Sequence, residues 1–462
     1  MSAESASGAA AYEDALALLS RALTFGVNPT LEGVTALCDE LGRPQDSFAA
    51  VQVAGTNGKT SAARITAALI ASQGVRVGLY TSPELERYPE RMEVDGAVVS
   101  DADFAAAVHA GASAGERLRG PGSTGTAEGF TEFELLTAGA LWLFRERGVE
   151  IAVLEVGLGG RWDATSVVAP SVAVITGVGL DHTAILGDTL EAIAAEKAAI
   201  IRPASSPVLG PGTEGLERIF LAQAAAAHTH ARAVREARAA SPVPEALTAR
   251  FSVVARPASP GGTTAVDVRG VHDSYPGFAL VGPSYQAANV ATAVAAAEAA
   301  LGRALDASRA REALATLAIP GRFELVRTAP PVIVDGSHNP QAAAVLADAV
   351  REAFPDPALR PAVLLGVLAD KDAAGIIEAI APVAASIAVT QPDSPRALPV
   401  GELAAIVADV TGVQPATFPT IAQAVASLAG VSAGGPVLVT GSLTTAGQAR
   451  RLLRDVSATP RS

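Results

Sequence analysis

Six residues, Gly55-Thr56-Asn57-Gly58-Lys59-Thr60, close an apolar run, Val51–Ala54, and open an alanine-rich helical pattern, Ser61–Ser72. A strand, a glycine turn, a lysine and a threonine at a helix start present backbone N–H groups and the positive end of a helix dipole. That setting suits a polyphosphate. Lys59 would reach the outer phosphates, and the Thr60 hydroxyl would sit on Mg2+. The longer G-x-x-x-x-G-K-[ST] pattern is not met, because Val53 stands where its first glycine would be. The alternative is a tight turn with a solvated lysine; the position between strand and helix favours nucleotide binding.

A second group lies in LEVGLGGRWDAT, Leu154 to Thr165. Glu155 comes near the end of an apolar run, at the edge where ligands of parallel sheets collect. A carboxylate there is costly unless it is paired or bound to a metal, so a metal or phosphate role competes with an ion pair to Arg161. Gly157, Gly159 and Gly160 allow close backbone approach, and Arg161 and Asp163 bring charge to the same edge. A third run, VITGVGLDHTAILG, carries Asp181-His182 just past a strand end, which makes His182 a candidate ligand in the same layer. His109, His228, His230 and His272 fall on polar helices or loops and carry no assigned role.

These residues need a scaffold, and the pattern supplies one. Apolar runs at Val51–Ala54, Val75–Tyr80, Ile151–Val156, Val172–Thr176 and Val208–Gly210 alternate with helical stretches at Ser61–Ser72, Asp101–Ala110, Thr131–Arg147 and Leu190–Ile200. Strand–helix alternation predicts a parallel sheet covered on both faces. The glycine-rich stretch 111–129 reads as a loop. Residues 241–282 change character, with Pro and Gly around two alternating runs, Phe251–Ala255 and Thr263–Gly270, and predict a small antiparallel addition. A helix, Tyr285–Leu301, follows. The pattern restarts near Ile319-Pro320-Gly321-Arg322, with strands expected at Val332–Asp335, Ala362–Val367, Ile387–Thr390 and Val437–Gly441. The expected fold class is α/β: an N-terminal P-loop parallel-sheet ATPase domain with an antiparallel addition, then a smaller Rossmann-like α/β domain.

With 462 residues the chain suits two or three domains, and with 49% hydrophobic and 18% charged residues it can bury large cores. Its formal charge of −13 argues against nucleic-acid or anionic-membrane partners, which need basic patches. The single cysteine, Cys38, allows no intramolecular disulfide and reads as a buried hydrophobe. The first residues lack a basic segment followed by an apolar one, and no apolar stretch is long enough to span a bilayer, so a cytoplasmic location is expected.

Together AGTNGKTS, TSPELERYPERM, EFELLTAGALWLF, LEVGLGGRWDAT, VITGVGLDHTAILG, AAEKAAIIR, SYQAANVATA, PGRFE, VDGSHNPQAA, GVLADKD and VTGSLTTAG, in this order, resemble the Mur-ligase superfamily. The resemblance covers nearly the whole chain and is strongest to the folylpolyglutamate synthase and dihydrofolate synthase branch. It implies a reaction: ATP phosphorylates a carboxylate of a folate or of dihydropteroate, and the amine of L-glutamate displaces phosphate from the acyl phosphate. It implies that Gly55 to Thr60 cradle the phosphates, and that Ser82, Glu155 and His182 join Thr60 around Mg2+. A second Mg2+ would be met by Lys197, the lysine the family carbamylates; without the resemblance Lys197 reads as a solvated helix residue. Asn289 would lie near the adenine. Arg322, Asp335 and His338 would reach the nucleotide from the second domain, with Asn339-Pro340 starting the next helix. Lys59, Lys197, His182, Asp335 and His338 are thus the expected catalytic set. Phe130 and Phe133, candidates for stacking on a pterin ring, join Arg161 and Asp163 as expected substrate contacts; aromatic rings in an apolar pattern are more often core.

The resemblance divides the chain into an ATP- and folate-binding domain at 1–318, a hinge at 319–321 and a glutamate-ligase domain at 322–462, and suggests a monomer. Four departures stand out: Glu84 where the family has His, Ala199 where it has Gly, Tyr285 where it has His, and Ser337 where it has Ala. Two other readings remain: a ligase for a peptidoglycan precursor, and a nucleotide-binding homologue without ligase activity.

Overall fold

The computed structural model describes residues 3–22, 29–119, 129–428, 432 and 434–458. The chain forms two compact units. One holds Met1–Ser252, Asp267–Pro276 and Ala288–Leu314; the other holds Val253–Val266, Gly277–Ala287 and Ala315–Ser462. No described helix is long and apolar enough to cross a membrane.

The larger sheet has strands β1 (Ala49–Ala54), β2 (Val77–Tyr80), β3 (Met92–Val94), β4 (Ala97–Val98), β5 (Ile151–Glu155), β6 (Val172–Gly177), β7 (Ser206–Gly212), β8 (Arg232–Glu236), β9 (Thr248–Ala255), β10 (Thr263–Arg269) and β11 (Ser274–Val281). Their order is β11-β10-β9-β8-β7-β6-β1-β5-β2-β3-β4. Pairing is parallel from β9 through β8, β7, β6, β1 and β5 to β2, and antiparallel at β2–β3 and β3–β4. Strands β2, β5 and β6 are buried at every residue, as expected of a sheet covered on both sides. β1 lies between β5 and β6, with Val53 beside Glu155 and Ala54 beside Ile175. The loops after these three strands therefore emerge at one edge.

Glycine sets the packing behind that edge. Helices Asp101–Arg119 and Glu132–Glu146 lie close together because a Cβ at Gly139 would fall 2.3 Å from the Ala107 carbonyl oxygen, and one at Gly111 2.8 Å from that of Leu135. Residues 111–119 are thus helix rather than the loop their glycines suggested; 120–128 lie outside the described residues. The second helix starts from a complete capping box, Thr131 with Glu134. Cys38 is buried in the same core, and burial pushes its thiol up to about 12, out of reach of thiolate chemistry.

A buried carboxylate ties helix Gln286–Leu301 to the β10–β11 turn. Glu298, fully buried, accepts from the backbone N–H groups of Val271 (2.7 Å), His272 (3.2 Å) and Asp273 (3.2 Å), and from the Tyr275 hydroxyl (2.7 Å). Gly270 leaves room for it: a Cβ there would come within 2.5 Å of Glu298 Oε1. Glu298→Gln would turn an amide N–H toward these donors and remove the charge that holds them. Chemical denaturation is expected to show a loss of about 3 kcal/mol, whereas a loss under about 0.5 kcal/mol would reduce the contact to surface strength.

In the second unit β12 (Glu324–Thr328), β13 (Pro331–Val334), β14 (Ala362–Leu365), β15 (Ser386–Thr390), β16 (Ala416–Phe418) and β17 (Val437–Thr440) form a sheet of order β12-β13-β17-β14-β15-β16. Only β12 runs antiparallel to its neighbour. Helices Pro340–Ala353, Ala373–Ile380 and Val400–Thr411 bury Leu346, Val350, Ile376, Ile377, Leu403 and Val407 in its core. The expected α/β architecture, a mostly parallel larger sheet and a smaller second one, is present.

Candidate active site

The phosphate-loop candidate, 55–60, leaves β1 and enters helix Lys59–Ala71. Gly58 is the residue before that helix and has φ +81°, a left-handed conformation that favours glycine. A Cβ on it would lie 2.8 Å from Asn289 Oδ1, so Asn289 backs the loop. A Cβ at Gly55 would lie 1.9 Å from Thr176 Oγ1. Thr176 in turn donates to the Asn57 carbonyl (2.7 Å), and Thr56 Oγ1 accepts from Gly179 N–H (2.9 Å) and donates to Gly179 O (3.1 Å). The loop is held in shape by the segment after β6.

Two lysines converge on Gly55. Lys59 Nζ donates to the carbonyl oxygens of Gly55 (3.1 Å) and Thr56 (3.2 Å), and Lys197 Nζ donates to that of Gly55 (3.0 Å). Lys197 is 4% exposed, near the end of helix Leu190–Ala198. Burial, with the Lys59 charge adding, lowers its amine to about 7. The polar-looking pattern around Lys197 hides this; its burial is a tertiary fact.

Glu155, at the end of β5 and 2% exposed, accepts from Thr60 Oγ1 on Oε1 (2.9 Å) and from Ser82 N–H on Oε2 (3.4 Å). It does so in place of a pair with Arg161, which binds Glu196 (2.9 Å) and is 43% exposed. A carboxylate bonded to a threonine hydroxyl offers oxygen donors of the kind Mg2+ takes, which the Ser82 hydroxyl, water and phosphate oxygens would complete. The residues present fit that ion. His182 stands past β6 in a left-handed conformation, φ +52°, with Nε2 3.9 Å from Asp181. Among the described residues no three His, Cys, Asp or Glu gather into a ready metal cluster.

The four substrate candidates divide. Phe133 and Asp163 meet over Gly157, where a Cβ would lie 2.8 Å from Phe133 Cζ and 3.2 Å from Asp163 Oδ2. Phe133 lies 6.0 Å from the Tyr80 ring, a neighbour that the sequence reading missed and that the end of the β2 run could have signalled. Asp163 accepts from Leu158 N–H (2.9 Å) and Thr165 N–H (3.0 Å), and burial raises its carboxyl. Phe130 instead packs on the core near Gly115, and Arg161 sits on the outer rim with Glu196.

The second unit gathers its own candidates at the end of β13. Asp335 is buried and accepts from Phe323 N–H (2.8 Å), Ser337 N–H (2.8 Å) and Ser337 Oγ (2.5 Å). Arg322 approaches Gly336, where a Cβ would lie 2.7 Å from its guanidinium nitrogen. Tyr285 joins them: burial, then the Asp335 carboxylate, push its phenol well above its usual value, with Arg322 opposing. His338 Nδ1 lies 2.9 Å from the Gly336 carbonyl oxygen. An oxygen there can only accept, so Nδ1 donates in that bond. Asn339 caps helix Pro340–Ala353 through Ala342 N–H (2.8 Å), as Asn-Pro predicts.

A phosphate-type loop on a parallel sheet, with a buried carboxylate bonded to its threonine, is the arrangement of a nucleotide-binding enzyme. Residues 53–210 match the Mur ligase middle domain, and residues 321–443 match the Mur ligase glutamate ligase domain. The chain is 36% identical to the dihydrofolate synthase/folylpolyglutamate synthase of Mycobacterium tuberculosis, covering 92% of this chain and 90% of that protein. With the enzyme of the same name from Bacillus subtilis it shares 35% identity over 84% and 86%. Its fold is similar to that of the M. tuberculosis folylpolyglutamate synthase complexed with ADP, with a TM-score of 0.85 at 33% identity over 96% of this chain and 99% of that one. The Escherichia coli FolC complex with DHPP and ADP gives 0.81 at 29%, over 97% and 98%. The chain belongs to the dihydrofolate synthase/folylpolyglutamate synthase family of Mur ligases.

Proposed function

We propose that this protein joins L-glutamate to folates and to dihydropteroate at the expense of ATP, through an acyl phosphate. The observation that carries the reading is the strand-end layer of the first unit. There, two lysine nitrogens share the Gly55 oxygen within a loop whose Thr60 is bonded to Glu155. Phosphoryl transfer needs alignment and charge neutralisation more than covalent help, and this layer supplies both.

In this reading the N–H groups of Gly55 to Thr60 cradle the phosphates, and Lys59 swings from its carbonyls to the outer ones. Thr60, Ser82, Glu155 and His182 would hold Mg2+, which screens the charge between phosphate and attacking carboxylate. Phe133 and Asp163 orient the acceptor, with Arg161 at the rim. Asn289, and likewise Arg322, Asp335 and His338, are assigned to nucleotide handling. The substrate carboxylate takes the γ-phosphoryl group and ADP departs; the neutral glutamate amine then attacks the acyl carbon, loses a proton, and phosphate leaves. Lys197, neutral in a large share of molecules at pH 7, reacts with carbon dioxide to give a carbamate suited to a second Mg2+. We assign 1–318 to ATP and acceptor binding, 319–321 to a hinge and 322–462 to glutamate ligation, in a cytoplasmic monomer.

Mass spectrometry of products from dihydropteroate and from tetrahydrofolate, each with glutamate and MgATP, tests this. Each acceptor should gain one glutamyl residue with stoichiometric ADP. Nucleotide binding or hydrolysis with no amide from either acceptor would overturn it.

A further inference from the structure

Glu84, one of the departures noted above, lies two residues beyond Ser82, whose backbone N–H donates to Glu155. Its Oε2 accepts from Arg91 Nε at 2.5 Å. Arg91 is 8% exposed, and Glu84 is the one hydrogen-bond partner of its side chain among the described residues. The rest of the guanidinium is enclosed. Glu132 Oε1 stands 3.7 Å from one terminal nitrogen, in ion-pair range but too far for a hydrogen bond, and the Tyr88 ring lies 5.0 Å from the guanidinium carbon. The Nε side is therefore the side on which Arg91 makes its strong contact, and Glu84 already fills it.

The two acceptors of the proposed reaction differ in their carboxylates. Dihydropteroate presents a single benzoate carboxylate, which is the reacting group. A folate that already carries glutamate presents the reacting carboxylate and a second, spectator one a few bonds away. Arg91 lies against the strand end that leads into Ser82, its backbone carbonyl accepting from Thr81 N–H at 2.9 Å, and a buried guanidinium there, once freed of Glu84, would bind that spectator group by a charge-assisted pair. Resting on the ligase reading above, we propose that Glu84 is a specificity-determining residue. By occupying Arg91 it withholds a carboxylate site from glutamylated folates and biases the enzyme toward dihydropteroate. Glu132 strengthens the bias, since a substrate carboxylate approaching Arg91 also meets a second glutamate.

The test is a ratio, kcat/KM for tetrahydrofolate over that for dihydropteroate. Glu84→Gln keeps the shape and removes the charge. The ratio is expected to rise about tenfold, the size of one hydrogen bond to a charged group, and the gain should fall in KM for tetrahydrofolate, because a spectator contact is the same in ground and transition state. E84A should move the ratio the same way, and its melting temperature guards against misreading a folding defect. In E84Q/R91M the ratio should return to the unsubstituted value, since no guanidinium is left to bind the spectator group. A ratio unmoved in both E84Q and E84A, or one that stays raised after Arg91 is removed, overturns the proposal. Absence of amide from either acceptor with the unsubstituted protein strikes at the ligase reading itself, whereas two amides with an unmoved ratio strike at Glu84 alone.

Discussion

Glu155→Gln is expected to lower glutamate ligation by about 10³-fold in a protein that still folds. Glutamine keeps the volume of a residue packed at the end of β5, and its amide oxygen can still accept from Thr60 Oγ1, 2.9 Å away. Two properties change. The charge that would hold a divalent cation disappears, and the second oxygen becomes an N–H2 facing the N–H of Ser82, a donor against a donor. The first change weakens Mg2+ binding, so half-saturating Mg2+ should rise in step with the loss of rate. The second shifts Ser82 by a small distance that phosphoryl transfer does not tolerate. Coupled ADP release across a magnesium series, beside circular dichroism of both proteins, checks this. Activity within about fivefold of the unsubstituted enzyme, at unchanged magnesium demand, would remove Glu155 from the metal site.

That carboxylate could be found in the sequence because a charged residue at the end of an apolar run has to be explained. Other parts were hidden for equally physical reasons. β8, Arg232–Glu236, carries Arg235 in its middle, and a charged residue argues against a buried strand. Arg235 is nevertheless fully buried, because the Gly210 and Val234 carbonyls and Glu217 satisfy its guanidinium, two of them from elsewhere in the fold. β11 contains Pro276 and Gly277, yet as the outermost strand of its sheet it can spare a hydrogen-bond donor. β12 and β16 also lie at sheet edges, where half-exposed residues blur the alternation. The central strands β1, β5 and β6 were legible because burial on both sides leaves mainly apolar side chains before the strand ends, with Gln52 of β1 the exception, held by donation to the Thr165 and Ser166 hydroxyls. Within the site, types and spacing pointed to the phosphate loop, Glu155 and His182. The shared contact of Lys59 and Lys197 on Gly55, 142 residues from Lys197, is invisible to any local pattern.

Lys197→Met should give a protein that is more stable and nearly inactive, and the two effects have one cause. A lysine buried to 4% exposure beside a second ammonium pays for its place in desolvation, and its amine falls to about 7 from an ordinary 10.5. Between those values the unfolded chain binds a proton that the folded chain lacks, so this group makes stability rise with pH across that window and costs most below pH 7. Methionine fills similar space without charge. The variant should melt several degrees higher than the unsubstituted protein at pH 6, and the difference should shrink as pH climbs toward 10. Ligation moves the other way. At pH 7 an ordinary lysine is neutral in only about one molecule in three thousand, while this amine is neutral in a large fraction and can take up carbon dioxide. Removing dissolved carbon dioxide should therefore slow the unsubstituted enzyme, and bicarbonate should restore it. Lys197→Met should sit about 10³-fold lower and respond to neither treatment. A methionine variant that melts no higher at pH 6, or a native enzyme indifferent to carbon dioxide, would mean that the buried amine serves the loop as a plain cation.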